Sequence, residues 1–122
     1  QFFEFVDSII KSAVEDDTVY LSPALLQPIA ADDVAAVLTR LVVGVPLNGT
    51  AEVAGPDLLP LDEIGRRFLA AHGDRLQVIA DVHARYFGAV LDDRSLVAGV
   101  NPFVGATRFE DWLSRASATG QE

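Results

Sequence analysis

The chain has 122 residues, half of them hydrophobic, with 18 acidic and 9 basic side chains and a net charge of −9. That length fits one domain able to bury roughly two-thirds of its unfolded surface, and the charge argues against unaided binding to nucleic acid or an anionic membrane, which need a positive surface. With no cysteine there is no disulfide framework and no thiolate metal site, which fits a reducing cytoplasm.

From the first residue, Phe2, Phe3, Val6, Ile9, Ile10, Ala13 and Val14 form a broad helical stripe, with Glu4, Asp7 and Lys11 on the other side. The spacing predicts a helix over 1–14 with one buried face. Its aromatic-rich opening has no cap or lead-in, as if the chain began within a larger fold. It also lacks the basic flank and cleavage site of a signal peptide. Glu15, Asp16 and Asp17 make a polar turn before Thr18–Leu21, a short strand of β-formers that Ser22-Pro23 breaks. Leu25–Ile29 is apolar, with Pro28 restricting it to a short or edge strand.

A helix follows, with Asp32 or Asp33 as its cap and Val34, Val37, Leu38, Leu41 and Val42 as its buried stripe. Gly44 stands where a left-handed helix stop belongs, and Pro46 prevents continuation. Asn48-Gly49 is a turn and Thr50–Ala54 a strand. After the Gly55-Pro56 turn, Pro60 suits a first helical position. Leu61, Ile64, Phe68 and Leu69 give that helix its inner face, and Gly73 stops it. Leu76–Ala80 is the next strand. His83–Val90 reads as a short helix or an irregular packing segment, and Asp92–Asn101 holds turn residues. Phe109–Ala116 is a short terminal helix with Phe109, Trp112 and Leu113 on one side, and 117–122 is a frayed tail. The longest apolar runs fall far short of the ~18 residues that span a bilayer.

The segment Gln27–Gly55 has the length of one βαβ unit, about 30 residues. Strand, helix, strand, helix, strand in this order predicts an α/β fold over residues 1–122: a parallel βαβαβ sheet with an N-terminal helix and a short C-terminal helix.

Several segments carry a resemblance in order. QFFEFV, QPIAADDVAAVL, NGTAEVAGPDLLPLDEIGRRF and the tail HARYFGAVLDDRSL…GATRFEDWL resemble the C-terminal half of NmrA-like, atypical short-chain dehydrogenase/reductase proteins. The resemblance implies a partial Rossmann-like sheet from an NAD(P)-binding, oxidoreductase-like family, with the dinucleotide-binding N-terminal part absent. A phosphate-binding fingerprint needs glycines at a strand-to-helix turn, and the nine glycines here contain no G-x-G pattern. The Tyr-x-x-x-Lys pair of typical members is also missing: Tyr20 is followed four residues on by Ala24 and Tyr86 by Val90, and Lys11 is the only lysine. No cofactor is expected for this chain alone; NAD(P) is expected if an N-terminal half is present.

The densest polar cluster is D-V-H-A-R-Y, with Asp81, His83, Arg85 and Tyr86 as candidate ligand or substrate contacts. A His beside a carboxylate can act as acid or base near neutral pH; the plainer reading is a structural His and Tyr tying the tail to the last strand. His72 reads as a helix-end cap. His72, Asp81 and His83 match no metal-binding spacing, so no metal is expected. The acidic pairs Asp16-Asp17, Asp32-Asp33, Asp62-Glu63, Asp92-Asp93 and Glu110-Asp111 belong to turns and helix starts, and there is no G-x-S-x-G elbow or P-loop.

Three functions follow as expectations. The first is a non-catalytic or incomplete reductase-like domain that self-associates as a homo-oligomer, or is covered by a partner chain at the Phe2/Phe3 helix or a sheet edge. The second is the substrate half of an NAD(P)H-dependent oxidoreductase acting with a missing N-terminal half. The third is a small-ligand-binding module. Each is expected in the cytoplasm, without nucleic acid or membrane partners.

Overall fold

The computed structural model describes residues 1–46 and 48–118. Its elements are α1 (Val6–Ala13), β1 (Val14–Glu15), β2 (Thr18–Leu21), β3 (Leu25–Leu26), α2 (Ala31–Val43), β4 (Val53–Ala54), β5 (Leu59–Pro60), α3 (Leu61–Ala71), β6 (Gln77–Ala80), β7 (Phe103–Val104) and α4 (Phe109–Ala118). A 3-10 turn, Phe3–Phe5, leads into α1. The architecture is mixed α/β with parallel pairings, consistent with a partial Rossmann-like fold.

The strands form three small sheets among the described residues. In the first, β2 is central: β1 pairs with it antiparallel, Val14 against Val19, and β6 pairs with it parallel, Val19 against Val78. Alternation along β2 buries Val19 and Leu21 on one face and leaves Tyr20 half-buried on the other. Helices α1 and α3 cover the buried face, and Gly65 of α3 lies against the Leu21 and Val78 side chains, a close approach that a Cβ would obstruct.

The Gln27–Gly55 unit is wired differently from the parallel succession read from its sequence. β3 pairs antiparallel with β5, and β4 pairs parallel with β7. Pro28 explains the short β3: without an N–H it cannot carry the ladder onward. Past it only Ile29 bridges, parallel to Phe2. Gly55 N–H donates to Gln27 O at 3.0 Å, so the two ends of the unit touch through one hydrogen bond.

Phe3, Ile64, Phe109, Leu26 and Val19 are among the fully buried side chains of the main core. That core draws on α1, α3 and α4 together with β2 and β3. Phe3 meets Phe109 with ring centroids 5.3 Å apart and Trp112 at 5.5 Å, joining the first and last helical segments.

Several helix ends depart from the sequence reading. α2 starts at Ala31, with Asp32 and Asp33 inside its first turn and no cap bond from its own side chains. Glu4 performs that task instead, its Oε1 accepting from Ala31 N–H at 3.1 Å. Gly44 is extended, with φ −91° and ψ −174°, and is not left-handed. Pro60 precedes α3 instead of opening it. Gly73 does stop α3: at φ +65° it lets Asp74 N–H donate to Leu69 O and its own N–H donate to Ala70 O, a Schellman ending. α4 runs to Ala118, so Ser117 and Ala118, expected in the frayed tail, are helical; residues 119–122 of that tail lie outside the described residues.

The largest correction concerns the face of α2. Val37 is buried, but Leu38 is 54% and Val42 83% exposed. Beyond them Val43 and Val45 are 80% and 90% exposed. No described helix is long and apolar enough to cross a membrane.

Candidate functional site

The four candidate residues follow the carboxyl end of β6. Asp81 is tied there by its N–H, which donates to Leu21 O at 2.8 Å, at the end of β2. In sheets with parallel strands this is the edge where ligands are usually held. The Asp81 Oδ1 accepts from His83 N–H at 2.9 Å, closing a side-chain turn that swings the chain off the sheet.

A cavity of about 380 Å³ opens beside this turn. Asp81 and Arg85 line it, together with Ser12, Glu15 and Tyr20. Ser12 Oγ donates to Ile9 O at 2.7 Å, which leaves its lone pairs to accept from a ligand. Arg85 reaches the carbonyl of Gly88 at 3.3 Å through one guanidinium nitrogen and keeps further donors. The cavity therefore offers two carboxylates, one guanidinium and two hydroxyls, a lining suited to a small polar molecule that both donates and accepts hydrogen bonds.

His83 and Tyr86 do not line this cavity. His83 is exposed. Tyr86 packs against the core, and burial raises its phenol pKa above the ordinary tyrosine value. Tyr86 and Ala89 exchange two backbone hydrogen bonds of 2.9 Å. Between them Phe87 and Gly88 both have positive φ, 47° and 85°, so His83–Val90 contains a tight hairpin turn in place of a helix. Of the plainer reading in which His83 and Tyr86 tie the tail to the last strand, the structure shows only Tyr86 packed against the core, while His83 is exposed. His72 ends α3, stacks on Phe68 with centroids 4.2 Å apart and places Nδ1 2.9 Å from Phe68 O.

Ser12, Glu15 and Tyr20 were not singled out in sequence. They lie more than fifty positions from Asp81 in the chain, and the only local signal was the outward phase of Tyr20 on its strand.

Two smaller cavities serve the fold. One, of about 250 Å³, lies under the 95–98 loop. Gln27 Oε1 accepts from Ala98 N–H at 2.8 Å and Glu52 Oε1 from Gly99 N–H at 2.9 Å, pinning that loop. The other, of about 220 Å³, lies between α2 and the segment after β7, where Asp33 accepts from Thr107 N–H at 2.8 Å and from its hydroxyl at 3.0 Å. Among the described residues no group of three or more His, Asp or Glu side chains is placed to hold a metal ion. The buried Asp62 carboxylate pairs with Arg66 through Oδ2, while Oδ1 has no partner; its place in the first turn of α3 sets it against the positive helix end.

Compared with protein-family models, with curated proteins and with solved structures, the chain finds no match.

Proposed function

We propose that these residues form the substrate-side portion of a reductase-like α/β protein, a domain that holds a small polar ligand and supplies no dinucleotide-binding loop of its own. The observation that carries this reading is the cavity at the carboxyl end of β6, which Asp81, Arg85, Tyr20, Ser12 and Glu15 line together. Its volume lies within the ~300–1,000 Å³ typical of small-molecule sites. The ordered resemblance of four segments to NmrA-like reductases supports the class of chemistry. The glycine spacing supports assigning the cofactor pyrophosphate to a different part of such a protein.

In this reading Arg85 orients an anionic or carbonyl oxygen of the ligand, and Asp81 and Tyr20 take its hydroxyl or amino groups. Hydride transfer would require NAD(P)H held by an N-terminal half. The test is a thermal-shift screen of the chain with small hydroxy, keto and amino acids and, separately, with NADPH. A shift with one of the acids, lost in Arg85→Gln and kept in His83→Ala, is expected. No shift with any acid removes the ligand site, and tight binding of NADPH to the chain alone overturns the division of labour.

A further inference from the structure

Resting on the ligand site proposed above, we infer that the cavity at the carboxyl end of β6 takes an α,ω-diamino acid, a small molecule with one carboxylate and two ammonium groups. Three charged side chains line the cavity: Glu15, Asp81 and Arg85. Among the described residues none of them belongs to an ion pair, either among themselves or with another side chain. Lys11, next to Ser12 in the chain, is paired with Asp7 at 2.8 Å. Asp16 and Asp17, in the turn between β1 and β2, add negative charge beside Glu15. At neutral pH the lining therefore presents two negative charges and one positive, unmet within the protein. A diamino acid carries the complement.

The hydrogen-bonding groups point the same way. Ser12 Oγ donates its proton to Ile9 O, so toward the cavity it only accepts. Asp81 accepts His83 N–H through Oδ1, which fixes the carboxylate and leaves Oδ2 for a ligand. The Glu15 carboxylate has no hydrogen-bond partner among the described residues. These acceptors are met by ammonium groups, each with three donors and no acceptor. Arg85, beyond its bond to Gly88 O, turns its remaining N–H groups to one carboxylate. A hydroxy or keto acid also brings a carboxylate for Arg85, but it offers no cation to Glu15 or Asp81 and adds a third negative charge. Asp81 and Arg85 come from one short segment and Glu15 from β1. The α-ammonium and α-carboxylate share a carbon and go to Asp81 and Arg85; the ω-ammonium goes to Glu15.

Isothermal titration calorimetry of the chain reads each group separately, with lysine and ornithine set against norleucine, 1,5-diaminopentane and 2-hydroxyhexanoate. Norleucine lacks the ω-ammonium, diaminopentane the carboxylate, and hydroxyhexanoate both ammonium groups. The better of the two diamino acids is expected to bind about tenfold or more tighter than each of the other three, the factor for one lost charge-assisted contact. Glu15→Gln is expected to weaken that diamino acid to the level of norleucine and to leave norleucine unchanged, which also shows that the variant keeps its site. Any of the three binding as tightly as the diamino acids, or diamino-acid binding unchanged in Glu15→Gln, overturns the assignment and leaves a small-ligand site of different charge preference. No binding by any of the five compounds removes the ligand site itself and this inference with it.

Discussion

Gly55 has no room for a side chain, because a Cβ there would run into the carbonyl of Pro28. That contact holds the two ends of the Gln27–Gly55 unit together and gives Gly55 a role in packing that its turn signal does not announce. Asp33 is a second case. Read as a helix cap, it instead binds both the N–H and the hydroxyl of Thr107, 74 positions away. Asp33→Ala is therefore expected to lower stability by about 1–3 kcal/mol in urea unfolding, since two donors lose a partly buried acceptor; an unchanged midpoint would remove this tie from the account. Asp92 makes a prediction about pH. The N–H of Arg94, and then the hydroxyl of Ser95, hold its carboxyl below the ordinary aspartate value. A depressed folded pKa stabilises the fold above the unfolded value of about 3.9 and is lost as pH falls through the folded value. The loop at 92–95 should thus become more susceptible to acid protease, such as pepsin, over that acidic window. Asp92→Asn should remove this part of the pH dependence.

Each element shows how far a local pattern reaches. The period in 31–43 identifies α2 as a helix, yet its apolar residues run almost all the way round, so the period does not say which arc is covered. The stripe through Leu38 and Val42 is the exposed one, and Val37 marks the covered arc. Leu26 and Leu38 therefore predict opposite results. In dilute solution Leu26→Ala should cost about 2–5 kcal/mol and Leu38→Ala less than about 0.5 kcal/mol, both by chemical unfolding. Comparable losses at the two positions would mean that α2 buries Leu38 in the folded chain. For α3 the period identifies the buried Leu61, Ile64, Phe68 and Leu69, and Gly73 ends the helix by a backbone mechanism local to the six residues Leu69–Asp74. The candidate site was half legible: Asp81 and Arg85 line the cavity, whereas His83 and Tyr86 share their segment and turn elsewhere. A run of polar residues reveals that a loop is chemically equipped, but its turns decide which side chains face the same space.

At the scale of the molecule, the two ends of the chain are joined by aromatic packing. Phe3, Phe109 and Trp112 bring the opening turn of the chain onto α4, and Asp57 fastens that helix by accepting from Phe109 N–H at 3.1 Å and pairing with Arg108 at 2.8 Å. A double-mutant cycle on Phe3→Ala and Phe109→Ala should show coupling of about 0.5–1.5 kcal/mol, the range for a buried aromatic pair in contact. Strict additivity would mean that the rings pack without depending on each other. The cavity at the carboxyl end of β6, lined by polar side chains, and the outer face of α2, where Leu38 and Val42 are exposed, lie at the opposite extreme from that packed core.

Sequence alone determined the α/β class, the helical and extended character of most segments, the stop at Gly73 and the lack of a glycine-rich phosphate loop. These depend on residues within one or two turns of each other, where side-chain period, proline and glycine act directly on the backbone. Tertiary structure decided that β3 turns to β5 and β4 to β7, that Glu4 caps α2, that Tyr20 and Glu15 line one cavity with Asp81, and that α2 shows Leu38 to solvent. Each of those depends on a contact between segments far apart in the chain, where several pairings satisfy the same local pattern and only the packing of the whole core selects one.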